Sequence, residues 1–495
     1  MMRSTLTHFL TGLAALVLFV PYSARAAELA KPNIVLILAD DLGYGDLGCY
    51  SSKLNATPVL DQLAREGTRF TQFEVSQAVC TASRASLLTG CYANRVGMSG
   101  ALNHTSTRGL APSETTFAEV CRSQGYATAA FGKWHLGHQP EFLPTRQGFD
   151  VFAGLPYSND NGPLHPTVRG IPSLPWYENE KVTERDPDQS QFTRRLTDRA
   201  VQFILANRTR PFLLYLPHIM PHVPIFVSAE FRGKSKGGLY GDVVEDLDAS
   251  IARVLQAIRE AGVEQNTLVI FSSDNGPFLS YGTHAGSAGP LREGKLTAFE
   301  GGVRTPLIVR WPGVVPAGRT SDAFLTSLDL LPTLAHFIGA KLPAGKIDGQ
   351  NLSDVLLGKA GAVGRDSFYY YSGEELQAVR QGRWKLHLDH DFLTVAGPPG
   401  TDGKPANFAN MKPNSIEESG IRGIASRHGY EVKHVRQSLF DLVTDAAETN
   451  DVASANPEIV KRLLALAGEA RRDLGDTITG AIGENVRPPL QRASK

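Results

Sequence analysis

The sequence predicts an α/β fold: a large, mostly parallel sheet flanked by helices, followed by a smaller C-terminal subdomain of antiparallel sheet plus helix. Up to about residue 345, short runs of branched apolar residues alternate with segments whose apolar residues have helical spacing. Such alternation favours parallel strands with helices on both faces. Beyond that point, short strands separated by turns replace the alternation.

Three runs in the predicted N-terminal domain, residues 32–345, are typical of strands buried on both faces. They are Asn33–Ala39, Tyr126–Phe131 and Thr267–Ser273. The first strand ends at Asp40-Asp41 and the third at Asp274-Asn275. Because ligands of open α/β sheets bind at the carboxyl ends of the strands, these side chains mark a candidate site.

Two helices are predicted between these strands. One opens at Thr57-Pro58, since proline is favoured in the first helical turn, and ends at Gly67. The other precedes the third strand and is marked by a helical stripe of apolar residues. These are Val243, Leu247, Ile251, Leu255 and Ile258.

The C-terminal subdomain is predicted over residues 346–480. Its strands are expected at 367–371, 376–380 and 384–388, and a final helix at about Pro457–Leu474. Between them, residues 390–436 are rich in Gly, Pro, Asn and charge, which predicts a long loop. This loop either overhangs the site and selects the substrate or is a mobile insertion without a role.

Composition limits the classes of partner. The chain has 495 residues, of which 42% are hydrophobic and 20% charged, and its formal net charge is +0. This balance fits a large globular enzyme and argues against nucleic acid as a partner.

The N-terminus predicts export. Basic residues precede the apolar run Phe9–Val20, and Ala24-Arg25-Ala26 offers a small-residue cleavage site. Residues 1–26 are therefore predicted to be a signal peptide cleaved after Ala26, because the apolar run is short of the roughly 20 residues that a membrane span needs. The mature protein is expected in a periplasm or outside the cell, without a membrane partner.

Four cysteines give no clear disulfide framework. They are Cys49, Cys80, Cys91 and Cys121. Cys121 has helical spacing with Phe117 and Val120, which favours a buried small hydrophobe. A bond between Cys49 and Cys91 remains open.

The carboxylates and the amide at the strand ends indicate a metal site. Oxygen ligands without a nearby Cys or His cluster suit a hard divalent cation, with calcium the first choice and magnesium the alternative. Asp40 and Asp274 could instead cap the helices that follow them. The adjacent pair Asp40-Asp41 is harder to explain in that way, because two neighbouring charges repel each other without a cation.

Other polar residues are ambiguous by themselves. Lys133 and His135 follow the second strand, His222 lies between two prolines, and Lys295 lies in a Glu-Gly-Lys segment. A Lys or a His in a loop is more often solvated than catalytic, and a proline-flanked His can be only a rigid turn.

The segment Cys80-Thr81-Ala82-Ser83-Arg84 resembles the one in which sulfatases convert a cysteine to formylglycine. In its order of motifs, the chain is similar to the sulfatase family of the alkaline phosphatase superfamily, most closely its arylsulfatase A and N-acetylgalactosamine-6-sulfatase branch, over about residues 32 to 455. The matching motifs are Asp40–Asp46, Cys80–Arg84 with Leu87–Gly90, Gly132–Gly137, Asp274–Gly276 and Glu300–Gly302.

The resemblance implies an alkaline-phosphatase-like fold with an N-terminal catalytic domain. It also implies a formylglycine made from Cys80 by a maturation enzyme. The implied metal ligands are Asp40, Asp41, Asp274, Asn275 and the modified Cys80. The implied sulfate contacts are Lys133, Ser158, His222 and Lys295. Two positions depart from the family: Ala82 stands where proline is usual, and Cys91 where relatives commonly carry arginine.

The implied reaction is hydrolysis of sulfate monoesters, either of an aryl alcohol or of a sulfated carbohydrate. A hydrated aldehyde attacks sulfur and then expels sulfate by C–O cleavage. His135 would remove the proton that drives this expulsion, and Arg84 would orient the hydrate. Asp274 would accept a proton during attack, and His222 or Lys295 would protonate the leaving alcohol. A phosphatase or phosphonate ester hydrolase, and an unmodified binding protein, are the alternatives.

Overall fold

The computed structural model describes residues 31–418 and 420–491, so the predicted signal peptide lies outside the described residues. The strands are β1 (Asn33–Ala39), β2 (Thr68–Glu74), β3 (Arg108–Gly109), β4 (Ala127–Lys133), β5 (Val151–Leu155), β6 (Pro175–Glu178), β7 (Lys181–Arg185), β8 (Phe212–Pro217), β9 (Thr267–Ser273), β10 (Arg304–Arg310), β11 (Arg319–Ser321), β12 (Leu325–Thr326), β13 (Ser367–Ser372), β14 (Glu375–Gln381), β15 (Trp384–His387), β16 (His390–Val395), β17 (Tyr430–Val435), β18 (Ser438–Asp441) and β19 (Leu490–Gln491). The helices are α1 (Pro58–Glu66), α2 (Cys80–Thr89), α3 (Phe117–Ser123), α4 (Phe192–Ala206), α5 (Gly238–Glu260), α6 (Glu300–Val303), α7 (Leu330–Phe337), α8 (Ser353–Leu356), α9 (Ile421–His428) and α10 (Pro457–Leu474).

The large sheet has the strand order β11-β2-β10-β9-β1-β8-β4-β5-β6-β7, with β12 beside β2. Its centre, from β9 to β5, is parallel. The strands β10, β6 and β7 pair antiparallel with their neighbours, so the sheet is mixed towards its edges. The predicted α/β class is confirmed.

Helices cover both faces of this sheet. Val35 and Ile37 of β1 pack into a cluster with α1, α4 and α5, whereas Ile34 and Leu36 pack into a second cluster with α2, α3 and α7. Successive side chains of a strand point to opposite faces, so every residue of β1 is buried. This explains why the run reads as continuously apolar.

Several predicted elements are confirmed at their bounds. The strands β1 and β9 begin and end where the apolar runs do, α1 ends before Gly67, and α10 spans Pro457–Leu474. The second predicted strand extends further than expected, because β4 runs on to Lys133. Lys133 therefore projects from a sheet strand and not from a loop.

The C-terminal part contains the predicted antiparallel sheet, in the order β13-β14-β15-β18, with α10 packed on it through Leu463, Ala467 and Ala470. The prediction of a long loop at 390–436 is wrong. β16 and β17 form an antiparallel pair, and α9 lies between them. The two strands are far apart in sequence, so local composition does not reveal their pairing. The domain boundary near residue 345 stays a prediction.

All four cysteines are free thiols, which excludes the Cys49–Cys91 bond left open above. Cys121 is 1% exposed, as expected of a buried small hydrophobe. Cys91 stands where relatives commonly carry arginine, and the guanidinium of another arginine lies close to it. The Nη2 of Arg487 is 3.4 Å from the Cys91 Sγ. Within the described ranges, no helix has both the length and the apolar character required to cross a bilayer.

A buried ionic network joins the large sheet to the C-terminal part. Glu300 pairs with Arg304 and, at 2.9 Å, with the Nζ of Lys385. Lys385 also lies 3.0 Å from Glu448, which accepts a hydrogen bond from the Nε2 of His387 at 2.8 Å. These side chains are at most 7% exposed. The motif Glu300-Gly301-Gly302 thus has a structural role.

Replacing Glu300 by Gln should destabilise the fold by about 3–5 kcal/mol, because removing one partner leaves buried charges uncompensated. Urea denaturation followed by circular dichroism measures this change. Glu180→Gln is the matched control, since Glu180 pairs with Arg146 at the surface and such pairs contribute less than about 1 kcal/mol. Equal urea midpoints for the two variants would show that the buried ionic network does not stabilise the fold.

Candidate active site

The carboxylate and amide residues converge because β1 and β9 are paired neighbours. Their register sets Ala39 opposite Ser273, so Asp40 and Asp274 follow side by side. Asp41 adopts a left-handed conformation with φ 63°, and its backbone N–H donates to Oδ1 of Asp274 at 3.1 Å. Asn275 donates from Nδ2 to Oδ1 of Asp41 at 2.7 Å. The predicted cluster at this sheet edge is therefore present.

Cys80 is the first residue of α2 and faces this cluster. Its Sγ lies 3.7 Å from Oδ1 of Asp40 and 3.3 Å from the Nζ of Lys295. Burial raises the pKa of the Cys80 thiol to about 12, and the opposing effect of Lys133 and Lys295 does not offset this. The encoded thiol is thus neutral and a poor nucleophile near neutral pH.

Three cations neutralise the three carboxylates. Lys133 Nζ lies 2.6 Å from Asp40, and Lys295 Nζ lies 2.7 and 2.8 Å from the two oxygens of Asp41. Arg84 pairs with Oδ2 of Asp274 at 2.8 Å. These contacts are fully or almost fully buried.

The carboxylates differ in protonation. Burial raises the pKa of Asp40 to about 7, with the charge of Asp274 acting in the same direction. Burial would also raise the pKa of Asp274, but Arg84, followed by Lys133 and Lys295, lowers it to about 2. Asp274 is therefore the most firmly ionised of the group.

Two histidines lie beside this cluster. The Nε2 of His135 lies 2.7 Å from the carbonyl oxygen of Leu102, so it carries the proton. Its Nδ1 has no hydrogen-bond partner among the described residues, which leaves a free lone pair. Burial, and then Lys133, lowers the pKa of His135 well below its usual value. The unpartnered Nδ1 suits the role of base that the resemblance implies, and the lowered pKa keeps the ring unprotonated before it acts.

His222 lies close to Asp41 and Ser158. Its Nδ1 lies 2.6 Å from the carbonyl oxygen of Val223, and its Nε2 is 3.6 Å from Oδ2 of Asp41. Ser158 Oγ lies 3.4 Å from the ring nitrogens of His222. Every predicted site residue thus lies in one cluster or directly beside it.

The residues present fit a hard cation. One ligand atom each from Asp40, Asp41, Cys80 and His222 lies within 4.8 Å of the others. The Oδ1 of Asn275 is buried with no hydrogen-bond partner among the described residues. Asp274 is not one of these four residues, and its oxygens contact Arg84 and the backbone N–H of Asp41. An unpartnered amide oxygen beside carboxylates is the donor chemistry that calcium or magnesium prefers.

A cavity of about 520 Å³ opens onto Cys80. Among its lining residues are Asp160, His165 and His428, which the sequence did not single out. Asp160 stands two positions after Ser158, and this closeness in sequence could have identified it as a site residue. His428 belongs to α9 and is visible only once the chain is folded.

A buried residue at a helix N-terminus, surrounded by fixed cations and oxygen ligands at the carboxyl edge of an α/β sheet, defines an enzyme that acts on anionic esters. The family model described as sulfatase matches residues 32–340. Two further models match the C-terminal part: N-sulphoglucosamine sulphohydrolase, C-terminal, over 294–387, and the C-terminal region of aryl-sulfatase over 363–494.

Known proteins agree. Human arylsulfatase A is 38% identical over 476 residues, covering 91% of this chain and 89% of its own. Canine N-acetylgalactosamine-6-sulfatase is 36% identical and covers 72% of each chain. The crystal structure of the PsFucS1 sulfatase from Pseudoalteromonas sp. superposes with a TM-score of 0.75 at 26% identity, covering 90% of this chain and 92% of that one. The chain belongs to the sulfatase family, and it is a sulfuric ester hydrolase.

Proposed function

We propose that the protein is an exported sulfatase that uses a formylglycine made from Cys80 to hydrolyse sulfate monoesters. The position of Cys80 carries this proposal. Its Sγ lies near both Lys295 and Asp40, at the N-terminus of α2, and Cys80 lines the cavity. A group attached there meets fixed positive charge on the side from which an anionic ester must approach.

The hydrated aldehyde supplies two hydroxyl groups: one attacks sulfur and releases the alcohol, and loss of the other's proton then expels sulfate and regenerates the aldehyde. Lys133, Lys295 and His222 are proposed to hold the sulfate oxygens, together with Ser158. His135 takes the proton at Nδ1, which is free for this purpose. Arg84 holds Asp274 in place to accept the proton of the attacking hydroxyl.

Asp40, Asp41, Asp274 and Asn275, with residue 80, are proposed to hold one calcium ion, or magnesium in its place. When bound, the ion neutralises the charge of the sulfate ester as a Lewis acid. His222 lies close enough to Asp41 to contact the same ion.

Mass spectrometry of the peptide that contains residue 80, combined with turnover of sulfate esters, tests the mechanism. We expect the aldehyde in place of the thiol, and turnover in proportion to the converted fraction. A fully unconverted yet active protein would contradict the mechanism. A preference for phosphate or phosphonate esters would favour that alternative activity, and a protein with neither conversion nor turnover would favour a binding role.

Removal of the metal should abolish turnover. Chelation with EDTA is expected to lower kcat/KM more than about a hundredfold, because the electrostatic contribution of the site is lost. Calcium should restore activity and raise the melting temperature with its concentration, since a ligand that binds only the folded state stabilises it. Full activity after exhaustive chelation would exclude a metal requirement.

Maturation of Cys80 must precede folding. Cys80 is 2% exposed and Ala82 is fully buried in α2, so the modifying enzyme must read the segment before it folds. Proline at position 82 would favour the extended backbone that such an enzyme reads. Alanine permits the same conformation, and we propose that conversion proceeds without proline.

A further inference from the structure

The wall of the cavity beyond the sulfate site is polar. Asp160, His165 and His428 line it, and His222 of the proposed sulfate site lines the same cavity. The charge of Asp160 acts on all three histidines. None of the three newly found residues is needed to bind sulfate or to move the protons described above.

His165 presents an unused hydrogen-bond donor. Its Nδ1 accepts hydrogen bonds from the backbone N–H groups of Thr167 and Val168, at 3.1 and 2.9 Å. An imidazole nitrogen that accepts is unprotonated, so the proton of the neutral ring is on Nε2. Nε2 has no partner among the described residues, although the side chain is only 1% exposed. A buried donor without a partner costs stability unless a ligand satisfies it.

Asp160 brings a negative charge close to a site for an anionic group. Its carboxylate lines the same cavity as His222, His165 and His428 and can accept hydrogen bonds there. Asn161 donates to one of its oxygens at 3.0 Å. A carboxylate beside a sulfate ester is repulsive unless the substrate itself brings an O–H or N–H donor.

His428 completes this wall from α9. Its Nδ1 lies 2.9 Å from the hydroxyl of Tyr281, and its ring centroid is 5.7 Å from that of His165. The helix that carries it lies in the segment 390–436, for which substrate selection was one of the two predictions. Its folded position at the cavity favours that prediction over a mobile insertion.

We propose that Asp160, His165 and His428 bind the hydroxyl groups of a sugar ring, so that the substrate is a neutral monosulfated saccharide. This inference rests on the proposed function and specifies its substrate. An aryl sulfate without hydroxyl groups would leave these buried polar atoms unpaired, whereas a hydroxyl next to the sulfated carbon can donate to Asp160 and another can accept from His165.

The charge of the outer cavity favours a neutral sugar. Its two arginines are already engaged with backbone carbonyl oxygens, Arg108 at 2.8 and 3.1 Å and Arg427 at 2.7 Å. Glu374 and Glu375 line the same cavity. A uronate or a second sulfate would therefore meet three carboxylates, Asp160 included, against two guanidinium groups.

The test compares kcat/KM for two substrate types with protein of known conversion at residue 80. One type is a panel of hexose and N-acetylhexosamine monosulfates that differ in the sulfated carbon, and the other is 4-nitrophenyl sulfate. Wild-type protein should prefer one of the sugars. Asp160→Asn should lower the ratio of sugar to aryl turnover at least about tenfold. His165→Asn should do the same, because Asn keeps an acceptor near Nδ1 and removes the donor at Nε2. Asp354→Asn, at an exposed ion pair of α8, is the charge-matched control.

A second arm changes the substrate and compares wild-type protein with the Asp160→Asn variant. The preferred sugar sulfate without the hydroxyl next to the sulfated carbon should lose a similar factor with wild-type protein and nothing further with Asp160→Asn. Unchanged ratios, or a preference for the aryl ester, for a disulfated sugar or for a sulfated uronate, would overturn the inference while sulfatase activity stands. Converted protein that hydrolyses neither substrate type would overturn the proposed function itself.

Discussion

The Cys80→Ser protein is expected to fold normally and to lose at least about a thousandfold in kcat, the scale of loss when a nucleophile is removed. A serine hydroxyl can attack sulfur once, but it has no second hydroxyl on the same carbon with which to expel sulfate. The variant should therefore become sulfated and stop. Sulfate release and the mass of the peptide containing residue 80 measure both consequences.

The structure explains why the fold should survive. Cys80 Sγ makes two long contacts, at 3.3 and 3.7 Å, and the hydroxyl of serine is smaller and can be accommodated in the same space. The melting temperature should stay close to that of the wild type. Cys121→Ser is a matched control, because that thiol is equally buried but is not part of the proposed site. The Cys121→Ser protein should retain its activity per folded molecule. A fully active Cys80→Ser protein would end the formylglycine mechanism.

Much of this site could be predicted from sequence because it depends on strand ends. The apolar runs of β1 and β9 fix where Asp40 and Asp274 lie along the chain, and parallel pairing puts their ends at one edge. The sequence does not state which strands are neighbours. The ion pair between Lys133 and Asp40 depends on the order β1-β8-β4, which only the structure shows. Lys133 was expected in a loop because the apolar run before it ends at Phe131.

The outer cavity could not be predicted for a different reason. His428 and Asp160 are far apart in sequence, and they meet because β16 and β17 pair across 34 intervening residues and carry α9 between them. No local periodicity encodes such a contact. The residues that choose the alcohol are therefore less visible in sequence than those that bind sulfate.

The inner site holds three acidic and three basic side chains before any ion or substrate binds. Asp40, Asp41 and Asp274 are opposed by Lys133, Lys295 and Arg84. A divalent cation held by the carboxylates would leave the site net positive, which attracts a sulfate monoester. With the cation bound to the carboxylates, Lys133 and Lys295 would serve mainly to bind the substrate. Removing one of these lysines therefore tests its role in sulfate binding.

Lys295→Met is expected to lower kcat/KM by about a hundredfold to a thousandfold, the effect of removing one preorganised donor from a charged transition state. Burial would lower the pKa of Lys295, but Asp41 and its neighbours raise it well above its usual value, so the wild-type side chain is a fixed cation. Methionine keeps an unbranched side chain that is one atom shorter, and it removes the charge and the donors. Steady-state kinetics with a sulfate ester measure the loss.

The same variant should be less stable without metal than with it. In the metal-free variant, Asp41 lacks the cation that lies 2.7 Å away in the wild type and is an uncompensated buried carboxylate. This should lower the free energy of unfolding by about 3–5 kcal/mol. Calcium would replace the missing charge, so it should raise the melting temperature of Lys295→Met more than that of the wild type. Lys359→Met, at an exposed pair with Asp354, should change neither activity nor this response. Wild-type kinetics in Lys295→Met would show that Lys295 pairs with Asp41 but does not bind the substrate. A kinetic defect that persists at saturating calcium would show that Lys295 binds the sulfate group.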